Sequence, residues 1–154
     1  AAVVTRPDIM ATFRKSFRYF NTFGGNPVSC AAASAVLDVI EAEGLQENAR
    51  VVGAHAKAGL AKLAEKYEWI GDVRGNGLFF GAEIVTDRAT KAPAPAYVAR
   101  VANEMRRRGV LLNRLGIHYN TLKIRPPMPF SIANADHLLG LLDEVLGKLG
   151  APDA

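Results

Sequence analysis

The chain has 154 residues, 49% of them hydrophobic and 22% charged, with a formal net charge of +4 and one cysteine. That size and apolar content bury a real core and exclude intrinsic disorder. A single cysteine excludes a disulfide scaffold and suits the reducing cytoplasm.

The sequence opens Ala1-Ala2-Val3-Val4-Thr5 with no methionine before Met10, which reads as the continuation of something longer. Residues 1–20 carry Phe13, Phe17, Tyr19 and Phe20, an aromatic density suited to burial against a neighbouring unit. Residues 1–25 are therefore expected to be disordered, rearranged or engaged in a contact. Asn21-Thr22-Phe23-Gly24-Gly25-Asn26-Pro27 follows. Asn26 is a preferred N-cap and Pro27 suits the first helical position. Two glycines let a ligand approach the backbone, and the Thr22 hydroxyl with the helix-start amides can face an anion. On pattern alone, a capped helix after a tight turn is the more ordinary reading of the same residues.

A helix is predicted from Val28 to Glu43, with Ala31, Ala32, Ala35, Val36, Val39 and Ile40 on one face and Gly44 as its stop. Cys30 is expected to be a small buried apolar residue of that helix. Its most apolar run, Cys30 to Ile40, contains Ser34 and Asp38, far from the roughly 18 unbroken residues of a membrane span. Leu45, Ala49, Val52, Ala56, Leu60, Leu63 and Tyr67 continue the period as a second, longer helix. Strands are predicted over Ile70–Arg74 and Leu78–Val85 around Gly75-Asn76-Gly77. That G-x-G joins two strands and opens no helix, so it lacks the dinucleotide-binding context.

After the Pro-rich loop Ala92–Pro95, a shorter helix runs from Ala96 to Arg108. Arg106-Arg107-Arg108 at its end complements the helix dipole. It is the only basic run, and with the remaining charge scattered no nucleic-acid surface is expected. Strands Val110–Asn113 and Thr121–Arg125 flank a turn at Leu115-Gly116-Ile117-His118. On the second of these, Lys123 and Arg125 share one face and Ile124 takes the other, before Pro126-Pro127 ends the ladder. Two neighbouring cations require solvent or an anion, so a substrate carboxylate or phosphate and plain solvation both fit. The last helix spans Ile132 to Leu149, capped by Ser131 and closed by Gly150. His55, His118 and His137 have no metal-ligand spacing. Helix, two strands, helix, two strands, helix is an α+β (α/β sandwich) order, a largely antiparallel sheet covered by helices on one face.

Asn21 to Ala32 resembles a segment of the class III aminotransferases, pyridoxal-phosphate enzymes of fold type I. Glu43-Gly44-Leu45-Gln46-Glu47-Asn48-Ala49, Gly71 to Gly81 and Leu122 to Met128 match in order. The resemblance implies that residues 45–154 form the small C-terminal domain, and that residues 1–44 are the last piece of the large cofactor-binding domain. It implies pyridoxal 5'-phosphate as cofactor, an amine or amino acid as substrate, and a homodimer in which Thr22 binds the phosphate of the other subunit's cofactor. The family's cofactor-binding lysine lies upstream of the segment resembling Ala1 to Asp8, so no covalent attachment to this chain is expected. Lys123 stands where amino-acid transaminases generally place a carboxylate-binding arginine, with Arg125 two residues on as a second substrate contact. Lys-Ile-[Lys/Arg]-Pro-Pro-Met resembles the branch holding the phospho-lyases of ethanolamine phosphate and phosphohydroxylysine. Amino transfer is the main expectation and phosphate elimination the alternative. A non-catalytic module for association or anion binding is the reading from another class.

Overall fold

The computed structural model describes residues 2–153. The chain divides into two compact units, Ala1–Glu43 and Gly44–Ala154.

The first unit holds α1 (Pro7–Ser16) and α2 (Pro27–Ala42). No helix was expected within residues 1–25, which were read as disordered, rearranged or engaged in a contact, and α1 is an addition. Its start has Pro7 at the first turn and Asp8 near the positive end of the dipole, paired with Arg6 at 2.8 Å. The start of α2 is as predicted: the Asn26 side chain accepts from the Ser29 amide. Neither helix buries a single residue. Cys30, expected to be buried, is exposed. The apolar stripe of α2 is present, but nothing within this unit covers it, and Val36 and Val39 stand 58% and 46% exposed.

The second unit is the α+β layer. It comprises α3 (Leu45–Lys66), β1 (Ile70–Asn76), β2 (Phe79–Asp87), β3 (Ala92–Pro93), α4 (Pro95–Arg107), β4 (Asn113–Leu115), β5 (Thr121–Ile124) and α5 (Ile132–Leu149). The strands pair in the order β1-β2-β5-β4, with β3 on the end of β2, and every pairing is antiparallel. Alternation along β2 and β5 sends Phe80, Ala82, Ile84, Leu122 and Ile124 inward. There they meet Leu60 of α3, Val98 and Met105 of α4, and Leu142 and Leu146 of α5 in one core. Helices thus cover one face and leave the other open.

Several boundaries differ from expectation. The β1–β2 turn is Gly77-Leu78, because Gly75 and Asn76 remain in the ladder opposite Phe80 and Phe79. The Pro-rich loop contributes β3, a two-residue pairing with Val85 and Asp87. The strand expected at Val110–Asn113 begins only at Asn113. Residues 110–112 are apolar enough for a strand but have no ladder partner, whereas Asn113, Arg114 and Leu115 pair with Lys123, Leu122 and Thr121.

Close backbone approach locks the layers. A Cβ on Gly53 of α3 would lie 2.1 Å from the Gly77 carbonyl oxygen, so the hairpin tip sits directly on the helix. Lys57, one turn later, donates to the Gly75 carbonyl at 3.0 Å. Asn48 donates to the carbonyls of Met128 and Phe130 at 2.7 and 3.0 Å, pinning the loop after β5 to the start of α3.

Candidate functional site: the open face of the sheet

Register fixes what the open face presents. Arg74 of β1 lies opposite Gly81 of β2, and Gly81 lies opposite Lys123 of β5. The next row is Asp72, Glu83, Thr121 and Leu115. Arg74, Phe79, Gly81, Leu115, Thr121 and Lys123 line an open cleft of about 400 Å³ on this face. Gly81 is the floor between the two cations. A side chain there is excluded, since its Cβ would meet the Leu122 carbonyl oxygen at 2.4 Å.

The two cations are in different states. The Arg74 guanidinium donates to Asp72 at 2.6 Å and to Glu83 at 2.5 Å. Those two bonds raise the guanidinium's affinity for its proton, Asp72 contributing first. In return Arg74 holds the Glu83 carboxyl below its ordinary range, with the Asn120 amide adding to the effect. Asn120, 3% exposed, donates to Glu83 at 3.3 Å and to the Ile84 carbonyl at 3.0 Å. Lys123 is half-buried and has no hydrogen-bond or ion-pair partner among the described residues. The chain Asp72–Arg74–Glu83–Asn120 was invisible in the sequence. Its members lie on three segments whose registers no local pattern reveals, although Asp72 and Arg74 at strand spacing hinted at one face.

Arg125 was expected beside Lys123, but β5 ends at Ile124 and the two residues line different clefts. Arg125 borders a groove of about 380 Å³ with Leu112, Pro127, Phe130 and His137. Pro126 and Pro127 remove the ladder donors that would have kept Arg125 in the strand. The shared-face expectation for Arg125 therefore fails.

Thr22 belongs to the first unit and is exposed. Asn21 Oδ1 accepts from the amides of Phe23 and Gly24 at 2.9 and 3.1 Å. Asn26 takes the Ser29 amide, and Pro27 has no amide proton. Most of the donors expected to face an anion are thus already bound. The Thr22 hydroxyl has no partner among the described residues, so it fits a phosphate as one contact of several. No group of three potential metal ligands occurs among the described residues. No described helix is long and apolar enough to cross a membrane.

Residues 1–146 match the family profile Aminotransferase class-III. The chain belongs to that family. It is 47% identical to the alanine–glyoxylate aminotransferase 2 homolog 2, mitochondrial, of Arabidopsis thaliana over 148 residues, 96% of this chain and 31% of the plant protein. Among solved structures, it resembles a phospholyase from Arthrobacter in complex with phosphoethanolamine. That match has a TM-score of 0.86 and 41% identity, covering 95% of this chain and 35% of the other. An amine transaminase from an uncultivated Pseudomonas species, in its PLP-bound form, matches at a TM-score of 0.79 and 37% identity over 90% of this chain and 31% of its own. The chain thus spans about a third of the length of the relatives it matches. Its fold is that of fold type I pyridoxal-phosphate enzymes.

Proposed function

We propose that this chain is the C-terminal part of a pyridoxal-phosphate-dependent aminotransferase, which moves an amino group from an amine or amino acid to a keto acid. The observation that carries the reading is the open sheet face with a single unpaired ammonium, Lys123, in a chain whose family works on amines. A large domain joined to residues 1–44 would supply the covalent lysine, and residues 45–154 would form the small domain.

Pyridoxal phosphate, when bound, supplies an electron sink for the bond-breaking carbon of the substrate. This chain's own groups bind and orient. The Thr22 hydroxyl donates to a phosphate oxygen, and in a homodimer that phosphate belongs to the other subunit's cofactor. Lys123 receives the anionic group at the far end of the substrate, as a point charge able to meet a carboxylate or a phosphate. Phe79 and Leu115 line the same cleft and give that contact an apolar border. Arg125 is a substrate contact only if the substrate reaches the neighbouring groove. The single free cysteine supports a reducing compartment, which the cytoplasm provides.

A specific observation favours a second reading, β-elimination of phosphate from a phosphorylated amine. A lysine stands at 123, and the likeness to the Arthrobacter phospholyase extends over 95% of this chain. Paired steady-state assays on the full-length protein separate the two. Keto-acid formation from an amino donor without phosphate release supports amino transfer. Phosphate release from ethanolamine phosphate at equal or greater kcat/KM overturns it in favour of elimination. Neither product, with cofactor present, leaves the association module.

A further inference from the structure

We infer that Asp72 and Glu83 set the substrate's charge pattern by masking Arg74, so that the cleft accepts an amine carrying one anionic group at its far end and disfavours one carrying two. This rests on the reading of Lys123 as the contact for that group. Neighbouring strands lie about 4.8 Å apart, so Arg74 and Lys123, two strands apart, stand about 10 Å apart at the backbone. Gly81 between them has no side chain, and both residues line the same cleft. With Arg74 free, the pair would clamp the two ends of a dianion.

Arg74 is not free. Its guanidinium is shared between Asp72 on its own strand and Glu83 on the next. Glu83 is in turn held by Asn120, itself buried and bonded to the Ile84 carbonyl. Rotating Arg74 toward a ligand would break two charge-assisted bonds and leave a pair of carboxylates facing the anion. The formal charge of Arg74, Lys123, Asp72 and Glu83 together is zero, with Lys123 the only unpaired member. A second anionic group on a ligand therefore gains no free cation, because the Arg74 side of the cleft is already offset by two carboxylates. Glu83 and Asp72 are specificity-determining residues by this account. They touch no reacting atom.

The test uses the full-length, cofactor-loaded protein and NMR titration of its amides with hexanoate, adipate and methyl phosphate. Hexanoate and adipate have the same carbon count and differ by one carboxylate. The wild type should bind hexanoate at least as well as adipate, with shifts at Gly81 and Lys123. Methyl phosphate binding tighter than hexanoate would name phosphate as the preferred single group, and the reverse would name carboxylate. The double variant Asp72→Asn/Glu83→Gln should favour adipate over hexanoate by roughly tenfold, the worth of one charge-assisted pair. Arg74→Leu in that background should return the ratio to the wild-type value. If the double variant does not fold, Asp72→Asn alone keeps Glu83 on Asn120 and should shift the ratio the same way by less. A wild type that already prefers adipate, or an unchanged ratio in the variants, overturns the mask. Binding that survives Lys123→Met, or is absent from the wild type, overturns instead the reading of Lys123 on which it rests.

Discussion

Lys123 carries one free charge in a half-buried position, so its replacement by arginine tests the substrate directly. The change keeps the charge and exchanges a compact ammonium for a planar fork that matches a carboxylate. For an amino-acid donor, Lys123→Arg should preserve or raise kcat/KM. For a phosphorylated amine without an α-carboxylate it should lower kcat/KM. A mismatched contact is worth about 1–3 kcal/mol, so the two substrates should diverge tenfold or more. Equal effects on both would remove Lys123 from the substrate. Thr22 makes a separate prediction. Because its hydroxyl has no partner among the described residues, Thr22→Ala should leave the fold unchanged and weaken cofactor retention by roughly 1.5–3 kcal/mol. Loss of cofactor on dialysis, compared with wild type, measures it; equal retention would reduce Thr22 to a turn residue.

Among the elements, α3 holds the ends of β1 and β5 through contacts with no apolar signature. Asn48 bonds two carbonyls of the loop that follows β5. Asn48→Ala should cost about 1–3 kcal/mol, since those carbonyls lose a half-buried donor. Urea unfolding of the chain reads this as a lower midpoint at unchanged slope. An unchanged midpoint would mean that water replaces the amide without loss.

Which elements were legible follows from the same physics. The helices α2, α3 and α5 announced themselves through apolar spacing and through Asn26, Gly44, Ser131 and Gly150 at their ends. The antiparallel layer followed from element order. Helix α1 was missed because it buries nothing and Arg6 makes no side-chain cap. The strand at 110–113 was misplaced because Val110-Leu111-Leu112 satisfies strand composition, while ladder partners are decided by the distant β5. Lys123 could be singled out from spacing. Its isolation from Arg125, and the occupation of Arg74, depend on register and on where Pro126 ends the strand. Cys30 was misjudged because an alanine-rich stripe implies a covered face, which this unit does not supply.

Across the whole molecule, acid stability should be governed by carboxylates that bridge elements. Glu104 of α4 bonds Arg108 at 2.7 Å, Arg107, and Lys148 of α5 at 3.3 Å. These cations, Arg108 foremost, hold its carboxyl down to about 2 from an ordinary 4.5. Asp143, bonded to Lys66 and Tyr67, is shifted in the same direction. A carboxyl depressed in the folded state contributes stability that is complete above its unfolded value and is lost as pH falls through its folded value. The Tm should therefore hold down to a pH of about 4.5 and fall toward a pH of about 2. Glu104→Gln should show a lower Tm near neutrality and a shallower acid decline. Parallel curves for the two proteins would contradict the bridge.

Under the proposed function, this chain holds the binding and orienting groups of a pyridoxal-phosphate aminotransferase, and the covalent lysine lies in the rest of the protein. Borohydride reduction of the cofactor-loaded full-length protein, followed by peptide mass mapping, tests it most directly. One lysine should carry the reduced cofactor, and it should lie outside these 154 residues. Cofactor on Lys15, Lys57, Lys62, Lys66, Lys91, Lys123 or Lys148, or on no lysine at all, would contradict it.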